Sequence, residues 1–293
     1  MGAFIANTKV LMMFAVLILL FVAIGWIIGS LFPGLGLTAT MFIFFIIAVG
    51  INVVSYFFSD TIILKMYRAK VVSEAESPRM HRIVRDLSQR AQLPMPRVAI
   101  VPSQNPNAFA TGRTPKKAVV AATEGLLRTL DDNELTGVLA HELAHVKNRD
   151  VLVMTVAATV AGAVAFAARI AFWGSMFNRS DNWIIILLVA ITLPIAALLV
   201  QLAISRSREY KADAKGAELC GRPLWLASAL RKLDAGVKQY PMDNSHASPS
   251  TSSLFIVNPF RGGAIVSMLS THPPLQERIR RLEQLASEKG QYR

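Results

Sequence analysis

The chain has 293 residues, of which 53% are hydrophobic, and its mean hydropathy is +0.42. This composition is too apolar for an ordinary soluble domain and favours a membrane protein. The net charge is nevertheless +12, and all the basic residues except Lys9, Arg169 and Arg179 fall in two blocks, 60–150 and 205–293. Such a distribution follows the positive-inside rule for cytoplasmic polar segments and argues against nucleic-acid binding.

Four apolar segments are predicted to form two transmembrane hairpins. Residues 11–29 are 19 uncharged positions, close to the roughly 20 that a bilayer requires, and a second segment follows at about 41–59. A cleaved signal peptide is the alternative, but it would have a shorter apolar core and a small-residue cleavage site. Residues 151–168 and 183–204 form the second predicted hairpin, which returns the chain to its starting side.

The segments outside the hairpins have the mixed character of an α+β domain. The patterns predict an amphipathic helix over 74–92, strands over 97–101 and 118–122, and a helix beginning near residue 131. Further helices are predicted over 205–219, 224–238 and 275–286, and a loop over 241–253. The single cysteine, Cys220, excludes an internal disulfide and suits a reducing compartment.

The helix near residue 131 carries the main chemical signal. Asp131 and Glu134 have capping-box spacing. His141 and His145 are one turn apart on the same face, where two imidazoles can bind one zinc ion. Glu142 stands next to the first histidine and can take a proton from a water on the metal, which is the HExxH arrangement of zinc metalloproteases. Two surface histidines on an amphipathic helix are the alternative interpretation.

A catalytic zinc usually has a third protein ligand and one open position. Glu209 is the best candidate, and Asp213, one turn later, can accept the spare ring N–H of a ligand histidine. The same spacing equally fits a helix-surface network between Arg206 and Glu209. His272 and Glu218 are the competing ligands.

Four motifs together resemble the HtpX family of membrane zinc endopeptidases, which is related to the CAAX prenyl endopeptidases. In chain order they are Asn-Ala-Phe-Ala-Thr-Gly at 107–112, HELAH at 141–145 followed by Asn148 and Asp150, Ser-Arg-x-x-Glu-x-x-Ala-Asp at 205–213, and Thr-His-Pro-Pro at 271–274. The resemblance covers nearly the whole chain, including the four apolar segments.

The resemblance implies a role for each matching residue. His141, His145 and Glu209 would hold one zinc ion per chain, and Glu142 would be the general base. Asp213 would support a ligand histidine, and Arg206 would brace its helix.

The resemblance also implies a strand beside the cleft that pairs with an extended substrate. The residues of this strand are Asn107, Ala108, Phe109, Ala110 and Thr111. An unpaired strand edge can capture a peptide backbone by β-augmentation, although Phe109 fits a core position equally well. His272 is a candidate stabiliser of the oxyanion, with a helix-starting turn of no catalytic role as the alternative.

We therefore predict a mostly α membrane protein with four transmembrane helices in two hairpins. An α+β zincin-like catalytic domain would carry a small sheet beside the HExxH helix. The predicted organisation is a first hairpin over 1–59, a catalytic domain in two parts over 60–150 and 205–293, and the second hairpin over 151–204.

The predicted function is a zinc endopeptidase that cleaves misfolded or damaged membrane proteins at the cytoplasmic face of a bacterial inner membrane. The charged ends of the HExxH helix place it in the aqueous phase, directly before the third apolar segment. The quality-control role is implied by the resemblance. The expected partners are protein substrates and the lipid bilayer, with no nucleic acid. A zinc-stabilised scaffold without catalysis, or a transporter, is the alternative.

Overall fold

The computed structural model describes residues 2–31, 33–161, 164, 206–240, 254–256 and 273–291. The predicted fourth transmembrane segment, the rest of the third, the loop over 241–253 and His272 lie outside these residues. Arg206 is described by its backbone alone, at the start of a helix.

Helices dominate the described chain, and a small sheet lies among them. The helices are α1 Gly2–Leu31, α2 Leu37–Met66, α3 Pro78–Ala91, α4 Glu124–Thr129, α5 Asp132–Asn148, α6 Asp150–Ala161, α7 Arg206–Cys220, α8 Pro223–Gln239 and α9 Leu275–Glu288. Two short 3-10 turns cover Pro33–Leu35 and Pro115–Lys117. The strands are β1 Lys70–Val71, β2 Arg97–Val101, β3 Ala108–Thr111 and β4 Val119–Thr123.

The first hairpin is confirmed as two long apolar helices. Phe4–Ser30 and Leu37–Met66 are each long and apolar enough to cross a bilayer, with 27 and 30 residues. Many of their large apolar side chains are exposed, for example Leu19 and Phe42, as expected for surfaces that face lipid. The α2 helix continues past the predicted end at residue 59, because no helix-ending residue occurs before Tyr67. Two of the four predicted spans are therefore seen.

Two glycines let α1 and α2 approach closely. A Cβ atom on Gly25 would lie 2.9 Å from the Cα of Met41, and one on Gly29 would lie 2.8 Å from the Cα of Leu37. A four-residue spacing of small residues is the usual solution for close helix contact in a membrane, where no hydrophobic force drives helices together. The spacing therefore fixes the hairpin by direct backbone packing.

The sheet has the strand order β1-β2-β4-β3, with β2 and β4 parallel and the outer pairs antiparallel. Alternate residues of the strands point to opposite faces, and both faces are covered. Val98, Ala110 and Val120 belong to the core around α5, while Phe109 belongs to a second cluster with Tyr67. The predicted strands at 97–101 and 118–122 are thus confirmed, and β3 lies at an edge of the sheet.

The α5 helix lies at the centre of the catalytic half of the molecule. Its predicted capping box is present, with Asp131 accepting from the Glu134 amide at 2.9 Å and Glu134 accepting from the Asp131 amide at 3.1 Å. Gly137 and Gly216 allow α8 and α7 to approach it, since a Cβ atom on Gly216 would lie 2.9 Å from the His141 Cα. This close approach brings the first half of α7 within reach of the α5 histidines.

The described part of the third apolar segment is the buried helix α6. Val153 and Val156 pack into one cluster with Leu17 of α1, and Met154 packs into the cluster below the sheet with Phe109. The apolar sequence of α6 is thus used for packing within the protein along its described length. The helix follows α5 after a single residue, Arg149, which has a positive φ of 60°.

Candidate metal centre

Three buried side chains converge between α5 and α7. The Nε2 atoms of His141 and His145 are 3.2 Å apart. Glu209 approaches them with Oε1 3.4 Å from His145 Nε2 and Oε2 3.7 Å from His141 Nε2. The three ligand atoms all lie within 4.8 Å of one another. The sequence allowed two interpretations of Glu209, a zinc ligand or a member of a helix-surface network. The side chain is buried, which excludes the surface network.

The spacing of these atoms fits a zinc ion. Ligands about 2.0–2.1 Å from a tetrahedral zinc are about 3.3–3.4 Å from each other, and the separations here are 3.2, 3.4 and 3.7 Å. Two imidazoles and one carboxylate form one of the ligand sets that catalytic zinc sites use. The donor set and its geometry therefore fit the predicted ion.

Glu218, one of the competing ligands, is remote from this cluster. Its side chain is 63% exposed and bonds to Lys215 at 2.8 Å on the surface of α7. The other competitor, His272, lies outside the described residues.

A carboxylate lies beside the Nδ1 atom of His141. Asp213 Oδ1 is 2.9 Å from this nitrogen. A carboxylate in this position accepts the Nδ1 proton, which leaves Nε2 unprotonated for a metal. The structure thus places Asp213 in the position that its spacing from Glu209 predicts for a residue supporting a ligand histidine.

Arg278, for which the sequence predicts no role, holds Asp213 in place. Its Nε and Nη2 atoms donate to the two Asp213 oxygens at 2.8 and 2.7 Å, and Nη1 donates to the Ile256 carbonyl at 2.9 Å. The Arg278 side chain is 1% exposed. Burial acts to raise the pKa of Asp213, but Arg278 and His141 together outweigh burial and lower that pKa to about 2. Asp213 therefore stays ionised beside His141.

A second carboxylate lies beside the other ligand histidine. Asp150 Oδ2 is 3.4 Å from His145 Nδ1, and Asp150 Oδ1 is 3.6 Å from Arg208 Nη1. Asp150 is the first residue of α6, so the junction between α5 and α6 sets its position. Each ligand histidine thus has a carboxylate beside its Nδ1 atom, and each of these carboxylates lies next to an arginine.

Glu142 lies buried beside the cluster. Burial raises its pKa to about 7, and a hydrogen bond with the Ala110 backbone acts in the opposite direction. A carboxyl group whose pKa is near neutrality can both take up and release a proton at physiological pH. Glu142 therefore has the chemistry of a general base and acid.

The β3 strand runs along this site. The backbone groups of Asn107 and Phe109 point toward the neighbouring strand β4, and the Asn107 carbonyl accepts from Thr123 N at 2.9 Å. The backbone groups of Ala108 and Ala110 point to the outer edge of the sheet. There the Ala108 carbonyl accepts from Ile256 N at 3.3 Å, and the Ala110 backbone hydrogen-bonds to Glu142.

The outer edge of β3 is thus partly covered by the chain itself. Residues 254–256 lie there, and Phe255 packs against Phe109 and Tyr67 with ring centroids 5.4 and 4.9 Å away. The Phe109 side chain is fully buried in this cluster, so the core alternative holds for its ring. Thr111 is also buried and lies 3.3 Å from the Thr155 hydroxyl of α6.

Residues 74–286 match the family model described as peptidase family M48. The chain belongs to peptidase family M48. It is 52% identical to a protease HtpX homolog of Salinibacter ruber, over 93% of this chain and 95% of the relative. HtpX homologs of Pyrococcus furiosus and Thermococcus kodakarensis are 50% and 52% identical over 92% and 90% of this chain, and over 93% and 92% of their own lengths.

Among solved structures, the crystal structure of S. mikatae Ste24p is similar to this chain. The TM-score is 0.46 and the sequence identity is 21%, and the alignment covers 88% of this chain and 60% of that chain.

Membership of the M48 family identifies the chemistry of the three-residue cluster. The protein is an M48 zinc metallopeptidase and an HtpX homolog with a His-His-Glu metal site, and it is a membrane protein with two long apolar helices. The family and the metal site favour the enzyme over the scaffold and transporter alternatives.

Proposed function

We propose that this M48 peptidase cleaves exposed loops or damaged segments of membrane proteins at the cytoplasmic face of a bacterial inner membrane. One observation supports this location above the others. The metal-site helix α5 is followed after one residue by α6, and α6 packs directly against α1 of the first hairpin. The cleavage site is thereby held close to the lipid-facing helices, where peptide segments at the membrane surface can reach it.

We assign the acid–base chemistry to Glu142. A bound zinc ion would acidify a water molecule and polarise a peptide carbonyl. The Glu142 carboxylate takes the proton of the attacking water and passes it to the leaving amine, and burial favours this because it raises the pKa of the group to about 7. His141, His145 and Glu209 would hold the ion.

We assign positioning roles to the acidic residues behind the ligands. Asp213 lies at the Nδ1 atom of His141 and fixes the orientation of that ring, while Arg278 fixes Asp213. Such outer partners commonly change metal affinity or activity by about 10–100-fold when removed. The bracing role of Arg206 and the oxyanion role of His272 stay predictions from the sequence.

We propose that β3 guides the substrate, with a restriction that the structure adds. The backbone groups of Ala108 and Ala110 lie on the edge beside the metal cluster, a position that suits pairing with an extended peptide. Ile256 already uses the Ala108 carbonyl. A substrate that pairs along the whole of Asn107–Thr111 must therefore displace Ile256, and one that pairs near Ala110 must share that residue's backbone with Glu142.

The same arrangement supports a proposal for the domain organisation. We propose that 60–150 and 205–293 form one catalytic domain, interrupted by the second hairpin over 151–204, with 1–59 as the first hairpin. Contacts between α5 and α7 support the union of the two parts, since the metal ligands come from both. The basic excess of these parts supports a cytoplasmic orientation.

The proposed activity is tested by proteolysis of casein with the full-length protein in a nonionic detergent. We expect cleavage that stops when zinc is removed with a chelator and returns when zinc is restored, because Glu142 has no activated water to deprotonate without the metal. Loss of zinc should leave α-helical content largely unchanged. Cleavage that continues in the metal-free protein would contradict a metallopeptidase.

Location at the membrane is tested separately with a single-span substrate in nanodiscs. Identical cleavable sequences are placed either next to the span or far from it on the same side. We expect faster cleavage next to the span, whereas equal rates would contradict a membrane-adjacent site.

A further inference from the structure

A cavity of about 530 Å³ lies behind the metal site, between the start of α1, the start of α6 and the first turns of α7. Its wall includes four cationic side chains, those of Lys9, Arg208, Lys211 and Lys215. One carboxylate, Asp150, also lines it. The lining therefore has an excess of positive charge, which favours an anionic ligand.

The cations come from two parts of the chain that only the fold brings together. Lys9 belongs to the first apolar helix, whereas Arg208, Lys211 and Lys215 belong to α7. The α7 side chains recur at three- and four-residue spacing and so share one face of that helix. Asp150 faces Arg208 at 3.6 Å, and Glu218 beside the cavity bonds to Lys215 at 2.8 Å. Two carboxylates thus stand against four cations.

The position of Lys9 places the cavity at the depth of lipid headgroups. It is the charged residue of α1, and the 22 residues that follow it in the helix are uncharged. That length matches the hydrocarbon thickness of a bilayer. Met12, one turn after Lys9 on the same face of the helix, is 55% exposed. An apolar surface for acyl chains therefore continues from the cationic cavity.

We propose that this cavity binds the phosphate-bearing headgroup of an anionic phospholipid. Basic pockets beside transmembrane helices on the cytoplasmic side bind such headgroups, and each basic side chain contributes about fivefold in affinity. The exposed face of α1 favours a lipid over a soluble anion, because it gives the acyl chains a surface. Ile5 in the cavity wall adds to that surface. The bound lipid would tie α7, which carries Glu209, to the first hairpin.

The proposal is tested by lipid binding to the full-length protein in a nonionic detergent, measured by native mass spectrometry. The probes are dioctanoyl phosphatidylglycerol, dioctanoyl phosphatidylcholine and inorganic phosphate. The double variant Lys9→Gln/Lys211→Gln removes one cation from each side of the cavity. We expect saturable binding of phosphatidylglycerol that this variant weakens roughly 30-fold, and much weaker binding of phosphatidylcholine.

Lys116→Gln/Lys117→Gln is the matched control, because it removes the same charge from another basic segment near the membrane. This turn follows Arg113, whose guanidinium carbon lies 4.9 Å from the Phe57 ring centroid of α2. The control is expected to bind phosphatidylglycerol as the unmodified protein does. The thermal transition and zinc content of both variants are measured alongside, and Lys9→Gln alone replaces the double variant if the latter does not fold.

Four outcomes would overturn the proposal. The cavity variant could bind phosphatidylglycerol normally, or the control could lose as much binding, which would indicate diffuse attraction to a basic surface. Phosphatidylcholine could bind as tightly as phosphatidylglycerol. Inorganic phosphate could compete fully with the lipid at equal concentration, which would make a free anion the ligand.

Discussion

Replacing Glu142 by glutamine is expected to stop peptide cleavage while leaving zinc bound. Glutamine has nearly the same shape but cannot accept the proton of the attacking water, and a lost general base typically costs about 10²–10⁴-fold in rate. The three candidate ligands, His141, His145 and Glu209, are unchanged in this variant. The measurements are the initial rate of casein cleavage and the zinc content of the same preparation.

His141→Ala is the informative partner of that variant, because it removes a ligand in the same helical turn. We expect it to lose both zinc and activity, so the pair separates proton transfer from metal binding. Substantial cleavage by Glu142→Gln with a normal zinc content would show that another group is the base. Loss of zinc from Glu142→Gln would instead place Glu142 among the ligands.

Replacing Arg278 by methionine is expected to destabilise the protein severely. The variant keeps the volume of the side chain but leaves the Asp213 carboxylate buried without its two charged hydrogen bonds. Removing one partner of a buried ion pair costs about 3–5 kcal/mol. Arg278→Lys should recover only part of this, because an ammonium cannot reproduce the two parallel hydrogen bonds of a guanidinium. Denaturant unfolding in detergent measures the change in the free energy of unfolding.

Two further variants show whether Arg278 serves the fold, the metal site or both. Arg280 lies on the exposed face of the same helix, so Arg280→Met should change the free energy of unfolding little. The double variant Asp213→Leu/Arg278→Met buries no lone charge and should regain much of the stability. It should still bind zinc about 10–100-fold more weakly, because His141 has lost the carboxylate at Nδ1. Normal zinc affinity in the double variant would mean that Asp213 and Arg278 serve the fold alone.

The parts of the fold that could be predicted depend on residues that are close together in the sequence. The capping box of Asp131 and Glu134 and the one-turn spacing of His141 and His145 act within a single helix, so spacing alone was sufficient. The first hairpin was predictable because hydropathy and length decide whether a segment can cross a bilayer. Glu209 was the preferred third ligand, but spacing alone left it between a ligand and a surface network, and only the packing of α7 against α5 decides between the two.

The parts that could not be predicted depend on contacts between distant segments. Arg278 and Asp213 are 65 residues apart in the chain. One local signal was available, because Arg278 falls within the buried stripe of α9 with Ile279 and Leu282. An arginine on an apolar face usually has a buried acidic partner. Nothing local indicates that Ile256 bonds to the β3 edge.

The apolar composition of the third segment also fits two outcomes equally well. A run of valine and alanine suits a helix in lipid and a helix inside a protein, so hydropathy cannot distinguish them. Residues 151–161 are buried, and they pack against α1 and against the cluster that contains Phe109. Packing within the protein therefore accounts for the apolar sequence of this part. That the segment crosses the bilayer stays a prediction, which concerns the residues after Ala161.

The central claim is that one zinc ion is held by two histidines of α5 and one glutamate of α7. It is tested most directly by metal analysis and X-ray absorption spectroscopy of the purified full-length protein, with Glu209→Gln and Glu218→Gln as a matched pair. We predict one zinc per chain with two imidazole nitrogens, one carboxylate and a solvent ligand, lost in Glu209→Gln and retained in Glu218→Gln. Four protein ligands, or unchanged zinc coordination in Glu209→Gln, would contradict it.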